Sequence, residues 1–270
     1  MTNRTEDLPV QRHPSETAPS RHPVTSARWS VHTASLTAGI ALLLMSAVAI
    51  LGNVVVVAGL VTEGDAARTA ADITASAGLF RLGIVSLIVV IALDVVVAWA
   101  LYRVFSPVNA SLSLLAAAMR LVYSAVFMVA ISQLLGVSRM LGDDGNRAVL
   151  GAEVVQVQAM QGLVAFKDIW YVSQFLFGLH LVLIGYLAYR SGYIPRVLGG
   201  LLVIAGLGYA TDSLGAVLSE NPWTDISAFT FLGEFLLAIW LMIRARRIAA
   251  GAAVLEAVSA PGQTLEAASA

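Results

Sequence analysis

Leu82-Gly83-Ile84-Val85-Ser86-Leu87-Ile88-Val89-Val90-Ile91-Ala92-Leu93-Asp94-Val95-Val96-Val97-Ala98-Trp99-Ala100-Leu101 runs for twenty residues with a single charge, Asp94. At about 1.5 Å of rise per residue a helix of this length spans the ~30 Å hydrocarbon core of a bilayer. The run is continuous rather than alternating, which argues against a lipid-facing barrel strand. Five further runs resemble it: Ala34–Leu60, Leu112–Leu135, Trp170–Tyr189, Val197–Leu218 and Phe229–Ile243, the last short and expected to begin nearer Trp223. The fold class that follows is all-α, a polytopic membrane helix bundle with about six transmembrane helices.

Composition agrees. Hydrophobic residues make up 58% of the 270 and charged residues 12%, against ~25% charged in an ordinary soluble domain. Mean hydropathy is +0.81. A soluble core of this size could not hide so much apolar surface, so the lipid bilayer is the first partner expected. The net charge of -1 offers no footprint for nucleic acid. With no cysteine, disulfides, thiolate metal sites and cysteine nucleophiles are excluded.

Outside the spans the chain is polar. Residues 1–33 carry Pro9, Pro14, Pro19 and Pro23 among charged and hydroxylated residues and read as a disordered tail. Residues 34–247 form the transmembrane domain, and 248–270 read as a second flexible tail. Ser106–Asn109 and Ser191–Pro195 are tight turns, and Gly142–Asn146 a solvated one. Asp65–Gly78 suits an interfacial helix; Glu153–Phe166 suits the membrane surface or an extension of the fourth span. If the N-terminus is inside, ten of the 16 Lys and Arg residues fall on the inner side, five on the outer, and Arg120 within a span. The positive-inside rule then places both termini in the cytoplasm of a cell-membrane protein.

Ionisable residues within spans are costly and point to function by default. Asp94, Arg120, His180, Asp212 and Glu234 are such residues. Counted from the inner ends, Asp94 and Arg120 lie roughly 12 Å deep, His180 and Glu234 roughly 14–15 Å, and Asp212 roughly 22 Å. Four groups thus share one layer near the middle of the membrane. Asp94 and Arg120, on adjacent antiparallel helices, are expected to pair, with His180 and Glu234 extending the pair. Arg81, Asp212 and Asn53 form an expected outer polar cluster. The midplane layer reads either as a site that binds a small solute or relays protons, or as a buried pair that only fixes helix register. Gly206 with Ala210, and Gly178, Gly185, Gly199 and Gly200, are expected to permit close helix approach, with homo-oligomerisation through Gly-rich faces an open option. Trp99, Trp170, Trp223, Tyr102, Tyr189 and Tyr193 read as an interfacial aromatic belt.

No catalytic or metal residues emerge. The chain has no Walker-type phosphate loop, no His-Glu-x-x-His motif and no Gly-x-Ser-x-Gly elbow. Asp94 and Asp212 differ in depth by roughly 10 Å, too far for the shared-proton dyad of an aspartyl protease. No cofactor is called for, and an enzyme is the least favoured class.

In order and spacing, several pieces resemble a bacterial membrane family known as domain of unknown function 4386. They are Phe80-Arg81-Leu82-Gly83, Asp94, Pro107-Val108-Asn109, Leu114–Ala117 leading to Arg120, Phe177-Gly178-Leu179-His180, Gly185-Tyr186-Leu187, Ser191–Pro195, and Gly208-Tyr209 with Asp212-Ser213. The resemblance covers roughly Ala34 to Arg247 and implies a multi-helix membrane protein without an assigned activity. The functional expectation is a small-solute or proton-linked binding or transport protein with a midplane polar site. The alternative is a structural or regulatory membrane subunit.

Overall fold

A computed structural model describes residues 29–219, Ile226 and 232–259. Among these residues every regular element is helical. Helix α1 (Val31–Ala49) runs on through a π-helical stretch, Ile50–Val57, and a 3₁₀ turn, Ala58–Leu60. Helices α2 (Ala66–Ala75), α3 (Ala77–Phe105), α4 (Ala110–Gly142), α5 (Asp144–Leu150), α6 (Ala152–Ser191) and α7 (Arg196–Leu218) follow. The last helices among the described residues are α8 (Leu232–Ile243) and α9 (Ala245–Ser259). Five of these elements are long and apolar enough to cross a membrane: Val31–Leu60, α3, α4, α6 and α7; α8 is a shorter apolar helix. The expected starts of the sixth span, Phe229 or Trp223, lie outside the described residues.

Local chemistry sets the helix ends. Ser30 caps α1, accepting from the Thr33 amide at 3.1 Å. Asn109 caps α4, accepting from the Leu112 amide at 3.0 Å. Each satisfies one of the amides that a helix start leaves without a partner. Gly192, at φ 72°, ends the 40-residue α6 in the left-handed conformation that a Cβ would disfavour, and Pro195 then opens α7.

The helices form a closed ring. Helix α1 packs on α3, α3 on α4, α4 on α6, α6 on α7, α7 on α8, and α8 back on α1. The two tight turns put Pro107 and Pro195 at one end of the bundle, here the proline end; Leu60, Gly142 and Ala152 lie at the opposite end. The α6–α7 contact is the closest. A Cβ on Gly178 would lie 2.5 Å from the Gly206 carbonyl oxygen, and one on Gly185 would lie 2.7 Å from that of Gly199. Gly200 faces open space instead, so it takes no part in the close approach expected of it.

The outward surface is apolar. On α3, Leu82, Val85, Val89 and Trp99 are exposed, while Asp94 one turn away is 2% exposed. Such an inverted arrangement suits a lipid solvent, in which helices satisfy their own backbone groups and polar side chains turn inward. The protein is an integral membrane helix bundle.

Three local expectations change. Residues 143–146 are not a simple turn: Asp143 caps the short α5, accepting from the Gly145 amide at 2.8 Å. Of the two options for Glu153–Phe166, the structure takes the second, because α6 begins at Ala152. The tail expected from residue 248 is helical through Ser259, because Ile248 and Ala252 are buried and a Cβ on Gly251 would touch the Tyr193 ring.

Candidate functional site

Asp94 on α3 and Arg120 on α4 pair as expected. The Arg120 Nε donates to Asp94 Oδ1 at 2.8 Å and its Nη2 approaches the same oxygen at 2.6 Å. Arg120 is 1% exposed. Its Nη1 lies 3.2 Å from His180 Nε2 on α6, its Nη2 is 3.7 Å from the Met45 sulfur on α1, and its face lies 5.2 Å from the centre of the Phe177 ring. A guanidinium can only donate, so His180 Nε2 must accept. His180 Nδ1 lies 2.8 Å from the Ala116 carbonyl oxygen, which can only accept, so Nδ1 carries the hydrogen. These roles fix one neutral tautomer. The fully buried His180 therefore braces Arg120 against the α4 backbone, and both of its nitrogens are engaged.

Above this pair lies a cavity of about 250 Å³. All six helices of the ring contribute: Met45 and Asn53 from α1 and its π-helical extension, Leu87 and Asp94 from α3, Arg120 and Tyr123 from α4, Trp170 and Gln174 from α6, Tyr209 from α7, and Glu234 from α8. By helix direction, nearly all of these residues lie level with the ion pair or toward the opposite end. On the proline side Leu101, Val104, Phe105, Ala116 and Leu187 are buried in continuous packing. The π-helical stretch contributes Ile50, Asn53 and Val54 to the wall; such widened turns recur where a helix borders a site.

Aromatic rings form much of the wall. Tyr123 and Phe177 have centroids 4.8 Å apart, Phe127 and Trp170 5.5 Å, and Phe177 meets Tyr209 edge-on at 5.1 Å. Trp170 Nε1 donates to the Tyr123 hydroxyl at 3.3 Å. Two polar groups differ from this satisfied frame. Gln174 is 6% exposed, and its Oε1 has no hydrogen-bond partner among the described residues. Glu234 reaches the cavity, but no ion pair or hydrogen bond holds it among those residues. Of the four midplane residues, then, Arg120 bonds both Asp94 and His180, and Glu234 lines the cavity beside Asp94 and Arg120 with no ion pair or hydrogen bond among the described residues.

A family profile described as a domain of unknown function (DUF4386) matches residues 37–245. The chain belongs to the DUF4386 family. A protein from Archaeoglobus fulgidus, described as uncharacterized, is 34% identical to it over 178 residues, which cover 66% of this chain and 89% of the relative. No solved structure matches the chain. The match assigns no chemistry, which is therefore read from the site of this DUF4386 chain.

Asn53 and Arg81, expected in one outer cluster with Asp212, line different cavities. Asn53 lines the central cavity, Arg81 lines a separate cleft with Ser138 and Leu141, and Asp212 Oδ1 accepts from the Ile226 amide at 3.0 Å. Trp170 leaves the expected aromatic belt, because the early start of α6 moves it to the helix interior and the cavity wall. Gln174 carries no charge and was therefore no candidate. An uncharged amide in an otherwise apolar span was the available signal.

Proposed function

We propose that this protein binds a small solute in its central cavity and moves it, or a proton exchanged with it, across the cell membrane, with both termini cytoplasmic. The observation that supports the reading is the convergence of all six ring helices on one cavity containing an unpartnered amide oxygen and an unpaired carboxyl group. An unsatisfied buried acceptor costs about 1–3 kcal/mol, and a charged group at the bilayer centre costs about 2.5–3.5 kcal/mol where an apolar one is favourable. A bundle that needed only packing would fill this space with apolar side chains. The cavity is smaller than the ~300–1,000 Å³ typical of drug-sized ligands, which suits a small solute.

The excess of Arg on the proline side supports an inward-facing proline end. In that orientation the cavity lies on the outer side of the ion pair, and the packed half closes the inner side. Asp94 and Arg120, the latter braced by His180, form its floor; Glu234, Gln174 and Tyr209 are its solute-facing groups.

One observation favours a second reading, a structural or regulatory subunit. The Arg120 donors on Nε, Nη1 and Nη2 all have partners, as a helix lock requires. Reconstituted proteoliposomes separate the two. Solute or proton flux above that of empty vesicles, reduced in Glu234→Gln, is expected. Flux equal to empty vesicles across a broad solute panel would leave the structural reading.

A further inference from the structure

The groups that line the cavity differ sharply in what they have left to offer a ligand. Arg120 is the cation of the layer, and its charge is already met by Asp94 Oδ1 through two nitrogens. Its Nη1 is occupied by His180 and its face by Phe177. An anionic ligand would have to displace Asp94 from a buried pair, leaving that carboxylate stranded at a cost of several kcal/mol. Among the described residues lining the cavity the remaining donors, among them the Asn53 and Gln174 amides and the Tyr209 hydroxyl, are neutral. Glu234 contributes a carboxyl group with no ion pair among the described residues, and the 94%-buried Gln174 contributes an amide oxygen with no donor. Both are acceptors. Three rings, Trp170, Tyr123 and Tyr209, line the cavity, and the face of such a ring attracts a cation within about 6 Å. Leu42, Val54 and Val90 supply apolar wall.

We propose that the cavity is selective for a small organic cation, a protonated alkylamine. Its ammonium donates to Glu234 and to Gln174 Oε1, and its alkyl part lies against the apolar and aromatic wall. The match is one of charge: an ammonium has three donors and no acceptor, Glu234 and Gln174 Oε1 can accept from it, and the one cation lining the cavity among the described residues, Arg120, is already paired with Asp94. A neutral solute gains no charge-assisted hydrogen bond from the Glu234 carboxylate, whereas an ammonium does. This assignment rests on the reading that the cavity binds a solute, and deepens it.

Three unbranched four-carbon probes test it: n-butylamine, 1-butanol and butyrate carry charges of about +1, 0 and -1 at neutral pH. Their effect on the thermal unfolding of the full chain in detergent is compared between the wild type and Glu234→Gln, which cancels effects on the micelle. The expected result is saturable stabilisation by butylamine alone, weakened at least about tenfold in Glu234→Gln by loss of a charge-assisted contact. Should Glu234→Gln fail to fold, Gln174→Leu is expected to weaken butylamine binding several-fold without altering its preference over butyrate. Equal stabilisation by butanol, or stronger stabilisation by butyrate, would overturn the cation assignment and leave the solute-binding reading intact. Stabilisation by none of the three in the wild type would overturn both.

Discussion

Two nitrogens of Arg120 converge on one oxygen of Asp94, at 2.8 and 2.6 Å, across the contact between α3 and α4. Both residues are almost fully buried, so removing either strands the other. Asp94→Ala and Arg120→Ala are each expected to destabilise the protein by about 3–5 kcal/mol, and the double variant to recover a large part of that loss. Unfolding in detergent, read as a double-mutant cycle, checks it. Nearly neutral single variants would mean that the pair is hydrated and weakly coupled.

The α6–α7 contact depends on Gly178, whose added Cβ would lie 2.5 Å from the Gly206 carbonyl and 2.9 Å from the Ala210 amide. Backbone atoms cannot swing away as a side chain can. Gly178→Ala is expected to lower stability by about 1–3 kcal/mol, as overpacking does. Gly200→Ala, which meets nothing within 4 Å, should be neutral or slightly stabilising. Thermal midpoints of the two variants, measured side by side, decide the matter.

Gln174→Leu removes an acceptor that has no partner. Without ligand the change is expected to be neutral or to stabilise the protein by about 1 kcal/mol. Destabilisation by more than about 2 kcal/mol would instead show that the amide holds the bundle together. Denaturation of ligand-free protein gives the answer.

The absence of cysteine makes topology directly measurable. Ala110, beside Pro107 at the proline end, and Ala148 on α5 at the opposite end are both exposed. In intact cells an impermeant thiol reagent is expected to label Ala148→Cys and to spare Ala110→Cys until the membrane is opened. The reverse pattern would invert the orientation.

The bundle was legible in the sequence because a bilayer demands unbroken apolar runs of fixed length, and Leu82–Leu101 meets that demand alone. The Asp94–Arg120 pair was legible by depth, since two charges level on antiparallel neighbours have no cheaper partner. Depth says nothing about helix rotation, which is why the surroundings of Arg81 and Asp212 were not legible: Arg81 lines a cleft with residues of α2 and α4, and Asp212 accepts from the Ile226 amide. Trp170 was misplaced because an apolar window cannot tell where a helix begins when its first turns are polar, as Glu153–Gln161 are. Helical order past Arg247 was hidden in small residues, whose burial depends on a distant partner, Tyr193.

Thiol accessibility within the cavity tests the central claim, a solute site open to one side of the membrane above a closed floor. Asn53→Cys and Ala49→Cys line the cavity, Ala100→Cys and Ala116→Cys lie in the packed half, and Val122→Cys faces lipid. The account predicts that an impermeant reagent added outside modifies only the first two, and that a bound solute protects them. Modification of neither, or modification only from the cytoplasmic side, would contradict it.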